Sequence, residues 1–365
     1  TDTFNVAVGF QAGNDITTGT SNTLIGALAG DAITTGASNV ALGTSALSAN
    51  TTASNNTAVG YQAGYNNTGA SNLFAGTYAG YHTTTGTNNT YLGMSAGPNV
   101  SASTGSYNTG IGRSALLSNT TASKNTAVGY EAGYANTTGE QNTALGRVAM
   151  RTNTTGDYNV SVGSIALYYN TTGSNNVALG VQALNNNTTA SNNTAVGYKA
   201  LYTNTTGVHN IAIGATAMQN TTTGLNNTAV GGAALISNTT GGTNTALGRQ
   251  ALYLNTTASN NTAVGFQALY VNTTGAENVA FGAYALDSVT TGSGNAAIGY
   301  GSGNTITTGS KNTILGAYDG NQGGLDIRTA SNNIVLSDGD GNPRLYISSG
   351  GALNVAELDS LTTAS

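Results

Sequence analysis

The stretch Asn125-Thr126-Ala127-Val128-Gly129-Tyr130-Glu131-Ala132-Gly133-Tyr134-Ala135-Asn136-Thr137-Thr138-Gly139-Glu140-Gln141 is followed at once by Asn142-Thr143-Ala144-Leu145-Gly146, and this return decides the fold. A glycine preceded by an apolar residue recurs nineteen times from Gly9 to Gly316. The spacing is 17 residues, except for 16 between Gly60 and Gly76 and 19 between Gly93 and Gly112. The longer interval contains Pro98, as expected of an insertion bulging from a corner. Internal periodicity of this length is the signature of stacked repeats rather than of independent domains.

Positions are counted from the repeat glycine. Position −4 is Asn in all nineteen copies, as at Asn125, Asn142, Asn193, Asn227 and Asn261. Position −3 is mostly Thr or Val, −2 usually Ala, and −1 always apolar. Position +3 is Ala in almost every copy, +4 is Leu or Met (Leu167, Leu201, Met218) or Gly (Gly13, Gly64, Gly133), and the copy closes on Asn-Thr-Thr-Gly or a variant. Seventeen residues are too few for a helix pair, and the density of Gly and Asn disfavours helix. The β-branched run from Thr to Val, bounded by Asn and Gly turns, reads as a short strand. A second short strand is expected through the Ala-Leu segment. Each copy is then one coil of an all-β, parallel β-solenoid (a β-roll of about nineteen coils). At ~4.8 Å between neighbouring strands the stack is on the order of 90 Å long. The solenoid is expected over residues 1–316, with a capping and transition segment over 317–365 that includes a β-hairpin at 334–347. Leu353, Val355, Leu358 and Leu361 are expected to begin a following stem.

Successive strand side chains point to opposite faces. The −3 and −1 columns share one face, the Ala and Gly columns the other, and neither face carries charge. A strand covered on both sides reads as continuously apolar, but a coil interior covers only one. A symmetric homo-oligomer, expected to be a trimer, supplies the second cover. The plainer alternative is a flattened monomeric coil with its walls packed together.

Composition narrows the function classes. Charged residues are 6% of the 365, against roughly 25% in an average soluble domain. There is no Cys, and two His, His82 and His209, stand in different columns. This leaves no Cys–His dyad, no thiolate zinc site and little acid–base capacity. Carboxylates such as Glu131, Glu140, Asp157, Glu277 and Asp287 are scattered rather than paired as a glycan hydrolase needs. The chain is therefore expected to be no enzyme and to need no cofactor. Net charge is −5 with nine basic residues, which argues against nucleic acid. No apolar run approaches the ~18 residues of a membrane span. Residue 1 is Thr, so a processed product or an excerpt is expected.

The Asn-Thr-Ala-Val-Gly/Ala-Leu pattern resembles the haemagglutinin-type head repeats of trimeric adhesins. Its longer form, with Asn-Thr-Thr-Gly closing each copy, is similar to repeats of bacteriophage tail fibre proteins. The segment Asn332 to Asn342, followed by Arg344-Leu345-Tyr346-Ile347, resembles stretches that precede a tail fibre's stem or chaperone domain. The resemblance implies a left-handed, homotrimeric β-roll on a virion or cell surface, extracellular, serving attachment to a host cell or surface. A phage tail fibre-like shaft is the first reading; a bacterial surface adhesin or a self-assembling extracellular filament is the alternative. Partners are then sister copies and a cell-surface glycan or protein receptor, with no membrane insertion by this segment.

Candidate sites follow from the columns. Position +5 holds Tyr65, Tyr81, Tyr134, Tyr168, Tyr202, Tyr253 and Tyr270 beside residues as different as Asp31 and Arg151, so it is expected to face water as an interrupted stripe suited to stacking on sugars. Position +1 adds Phe10, Tyr61, Tyr130, Tyr198, Phe266 and Tyr300. The competing reading lays these rings over the coil edge to protect backbone. The Asn column, with Gly129, Gly146, Gly197, Gly231 and Gly265, is assigned to turns, each Asn bonding the next coil's Asn. Asn119, Asn136 and Asn204 match N-glycosylation acceptors but read better as corners. Paired Thr suggests an ice-binding face, yet adjacent Thr residues on a strand would point apart. Asp338, Asp340 and Asn342 resemble the start of a calcium loop without its closing Glu, and read better as a hairpin turn than as a metal site.

Overall fold

In the computed structural model, which describes residues 3–355, every regular element is a strand and no helix occurs among the described residues. The chain forms two compact units, Thr1–Ser191 and Asn192–Ser365. The first carries eleven repeat strands, β1 (Val6–Val8) to β11 (Val177–Leu179), and the second carries eight, β12 (Thr194–Val196) to β19 (Thr313–Leu315). Each strand is three residues long, one per coil, which makes a parallel β-solenoid of nineteen turns.

Within each unit successive strands pair in parallel with like columns in register. In the first, Thr126, Ala127 and Val128 stand opposite Thr143, Ala144 and Leu145. In the second, Ile211, Ala212 and Ile213 stand opposite Thr228, Ala229 and Val230. From the second repeat strand onward the middle residue points inward and is buried, while its neighbours at −3 and −1 point outward; in the terminal β1 Ala7 is exposed. The period-2 alternation of a strand thus makes Ala the inner wall and Thr/Val with Val/Leu/Ile the outer one.

The expected second strand is absent. A strand would send Ala at +3 and Leu at +4 to opposite faces, yet Ala200 and Leu201 are both fully buried. Left-handed residues make this possible: Lys199 at +2 has φ +52° and Leu201 at +4 has φ +52°. The alternation curls the segment into consecutive turns that close over the Ala wall. Left-handed backbone costs an ordinary residue about 1–2 kcal/mol, so burial of each Leu must outweigh it.

The repeat glycine holds the corner after the strand. At Gly265 φ is +137°, and a Cβ there would lie 2.5 Å from the backbone of Gly282 in the next coil. Neither the torsion nor the spacing admits another residue.

In the second unit the parallel stack is continued by β22 (Ile334–Ser337), whose Ile334, Val335 and Leu336 stand opposite Thr313, Ile314 and Leu315. Between them β20 (Asn321–Gln322) and β21 (Leu325–Asp326) form a small antiparallel pair. Then β23 (Pro343–Ile347) folds back antiparallel on β22, and β24 (Leu353–Val355) on β23. The antiparallel turn at 338–342 is where the repeat geometry stops. Leu358 and Leu361 lie outside the described residues.

Candidate functional surface

Two buried asparagine columns brace the coils. Asn125 at −4 donates from its side chain to the carbonyl of Gly139 (2.9 Å), and its Oδ1 accepts the backbone N–H of Asn142 (2.9 Å). Asn227 repeats this with Gly241 (2.9 Å) and the N–H of Asn244 (2.9 Å). Asn142, Asn193 and Asn261 also donate to corner carbonyls, at 2.8 to 2.9 Å. The left-handed residue belongs to the position before each of these, as at Lys124, Gln141, Asn192, Asn226 and Asn260. The column is a set of buried hydrogen-bond posts beside the turn, while Gly129, Gly146, Gly197, Gly231 and Gly265 are the turn itself.

The second column is the Asn of Asn-Thr-Thr. Asn153 donates to Asn136 (2.8 Å) and to the carbonyl of Gly156 (3.0 Å), and Asn170 donates to Asn153 (2.7 Å). Asn119, Asn136 and Asn204 are all buried in it, so their amides are not presented to a glycosylating enzyme. The following Thr is used as well: Thr137 and Thr154 donate their hydroxyls to the next coil's carbonyl at 2.9 and 3.0 Å. In most pairs only the second Thr, such as Thr138 and Thr155, is exposed (Thr17 and Thr51 are exceptions), which leaves a line of hydroxyls rather than a Thr-x-Thr face.

All seven +5 tyrosines are half-buried, and each has an aromatic or cationic neighbour. Tyr65 stacks on Tyr81 with centroids 5.2 Å apart, and Tyr253 on Tyr270 at 5.0 Å. The guanidinium of Arg151 lies 4.8 Å from the Tyr134 ring centre and 6.0 Å from that of Tyr168, and Lys199 lies 5.4 Å from that of Tyr202. The coil rise of ~4.8 Å is close to an aromatic stacking distance. A face covered by the next coil's ring is not open to a sugar. Position +1 is more open: Phe10 is 72% exposed and Tyr300 71%, with Tyr61, Tyr130 and Tyr198 also exposed.

The structure also gathers groups that look scattered along the chain. Arg113 and Arg147 both occupy +1, two coils apart, with Tyr130 at +1 in the coil between them. The backbone bonds from Glu131 to Arg113 (2.9 Å) and from Val148 to Tyr130 (2.8 Å) set this column in register. Arg113 lies 5.9 Å from the Tyr130 ring centre. Beside it Glu131 pairs with Arg151 (2.6 Å), which holds the Glu131 carboxyl below its usual range, and the Glu131 carboxylate raises the Tyr130 hydroxyl. The signal was the sequence interval: 34 residues from Arg113 to Arg147 is two repeats, hence one column.

His82 packs edge-on against Tyr81 and lies 3.2 Å from Asn66, while His209 is exposed on another column, 3.4 Å from Asn192. The Asp338 carboxylate is occupied within its own hairpin. Oδ1 accepts the N–H groups of Asn342 (2.8 Å) and Asp340 (3.1 Å), and Oδ2 accepts Nη2 of Arg344 (2.6 Å). The Arg344 guanidinium stands where a calcium ion would need the Asp338 oxygen, so Asp338, Asp340 and Asn342 close a turn and do not fit a cation. Among the described residues no three His, Cys, Asp or Glu are placed to hold a metal, and no helix is long and apolar enough to cross a membrane.

The most extensive feature is the outer sheet wall. Its −3 and −1 columns contain no charged residue in any coil. Ile25, Val40 and Leu42 are exposed in the first unit; Ile213 at 39% and Phe281 at 56% exposed stand in the second. No family model matches this chain, and no curated protein and no solved structure does.

Proposed function

We propose that this chain is the shaft of a structural and adhesive fibre, in which three copies pack their outer walls around a common axis and hold the remaining surface toward a host cell or another surface. The observation that carries the reading is the uncharged −3/−1 wall, apolar at −1 in every coil and mostly Thr or Val at −3, in both units. Soluble monomers rarely expose apolar patches beyond a few hundred Å². A wall identical in each copy is self-complementary about a symmetry axis, so sister chains cover it without a separate partner.

The role is mechanical and non-catalytic: reach, with one outward surface presented three times over, so that weak contacts add as avidity. An extracellular setting, on a virion or cell surface, follows from the same reading. Among the parents that the repeat resembles, a tail fibre-like shaft comes first.

Sedimentation equilibrium of the full chain tests it. The expected particle has three times the 36.2 kDa chain mass and dissociates when Ile213→Glu and Leu247→Glu are introduced together. A stable monomer, its mass unchanged by the double substitution, overturns the reading.

A further inference from the structure

The column Arg113, Tyr130, Arg147 stands out in a chain with only nine basic residues and a net charge of −5. Four of those nine lie between residues 113 and 151, and the coil register brings three of them, Arg113, Arg147 and Arg151, into columns beside Tyr130 and Glu131, while Lys124 stands before the strand. Arg151 is committed: Glu131 pairs with it, and Tyr134 and Tyr168 flank it. Arg113 and Arg147 are both exposed, and among the described residues neither has a carboxylate at ion-pair distance. Two exposed arginines outside any ion pair therefore occupy the coils on either side of Tyr130, about 10 Å apart at two coil rises, with the Arg113 guanidinium 5.9 Å from the ring centre.

We propose that Arg113, Tyr130 and Arg147 form a binding site for an acidic oligosaccharide, a chain of sugars bearing carboxylates. The inference deepens the fibre reading by naming the class of surface molecule met, and rests on it only in taking attachment as the role.

The chemistry matches term by term. A guanidinium presents a planar fork of donors to a carboxylate, which a lysine does not. The π face of Tyr130 suits the C–H face of a sugar ring between two carboxylated neighbours. The Glu131–Arg151 pair gives the floor of the site fixed charges of both signs, so the local excess is two positive charges. That suits a ligand with one charge per sugar or every second sugar. Duplex DNA carries one negative charge per ~1.7 Å of its axis, far more than two guanidiniums in an acidic chain can neutralise.

The test is isothermal titration of the full chain with tetragalacturonate, with maltotetraose as a neutral probe and a single-stranded oligodeoxynucleotide as a competing polyanion. Tetragalacturonate is expected to bind, more weakly as salt is raised, and maltotetraose is not. Arg113→Ala with Arg147→Ala should weaken binding at least tenfold and Tyr130→Ala at least fivefold. Arg249→Ala, at the same position of a distant coil, should change nothing. Circular dichroism shows that each variant keeps the fold. The proposal is overturned by no binding, by equal binding of maltotetraose, by tighter binding of the oligonucleotide, or by indifference to the column variants. Sedimentation of the same samples separates the two readings: a trimer that ignores tetragalacturonate removes only the site, and a monomer that binds it removes only the shaft.

Discussion

Around Phe74 and Tyr91 in the first unit, the strand supplies the bulk of the core and the turn segment recedes; from Ala212 to Ala263 in the second, the roles are exchanged. Phe74 and Tyr91 fill the −2 position and are fully buried, and the +4 residues that face them are Gly64, Gly80 and Gly97. A Cβ on Gly64 would meet the Phe74 ring at 2.5 Å. In the second unit Ala212, Ala229, Ala246 and Ala263 leave that space to Met218, Leu235, Leu252 and Leu269, also fully buried. Leu24 with Gly13 and Gly30, and Ile314 with Gly303, follow the first pattern. The interior is close-packed at one coil-to-coil rise, so the inner volume per coil is nearly fixed, and either wall can deliver it.

The largest effect should come from what the two regions share. Gly76→Ala and Gly231→Ala, at φ +136° in both cases, each place a Cβ about 2.5 Å from the next coil's glycine backbone. Both should cost more than about 4 kcal/mol in urea unfolding of their unit. A mild cost in one unit alone would mean that the two corners are not equivalent. Next, Phe74→Ala should cost about 3–5 kcal/mol by leaving a cavity, and adding Gly80→Leu should recover roughly half, because the pair then copies Ala229 with Leu235. Gly80→Leu in the presence of Phe74 should be severely destabilising. If the double variant is no better than Phe74→Ala, volume exchange between the walls is wrong.

A smaller loss, about 1–3 kcal/mol, is expected for Asn227→Ala, which orphans the buried N–H of Asn244 and leaves the carbonyl of Gly241 to the Asn238 amide alone. Asn125→Ala in the first unit should match it, since the bonds are the same. Asn5→Ala, with only one coil to brace among the described residues, should lose less. Equal losses at all three would assign the Asn column to backbone conformation rather than to bridging coils.

The repeat length, the strand through Thr-Ala-Val and the bonding of each Asn to the next coil's Asn were legible in the sequence, because each depends on a column that hardly varies, whereas the placing of that Asn beside the turn rather than in it was not. The turn segment was not. Its Ala-Leu pair looks like strand, and nothing in a leucine announces a φ of +52°; only the burial of both Ala200 and Leu201 shows that neighbours share a face. The tyrosines divided in the same way. Column position placed Tyr65 and Tyr253 at the coil edge, but the stacking of Tyr65 on Tyr81 and Tyr253 on Tyr270 depends on the coil rise, which converts open faces into covered ones. The Arg113–Arg147 column was written in the spacing, yet nine basic residues look dispersed until residue numbers are divided by the repeat.

The smallest effect separates the solenoid from its C-terminal hairpin. The coils are held by amides and packing, whereas the 338–342 turn hangs on one carboxylate. The N–H of Asn342, then the side chains of Arg344 and Asn342, hold the Asp338 carboxyl below its ordinary value. A carboxyl depressed on folding contributes stability above its unfolded pKa, about 3.9 for Asp, and loses it as pH falls through the lower folded value. Protection of the Asn342 and Asp340 amides from hydrogen exchange should therefore drop below about pH 4, while that of Asn244 stays constant. Asp338→Asn should produce the same loss at neutral pH and abolish the pH dependence. A fall at Asn244 in step with Asn342 would mean that acid acts on the coils as well, and the contrast between coils braced by amides and a terminus braced by a carboxylate would fail.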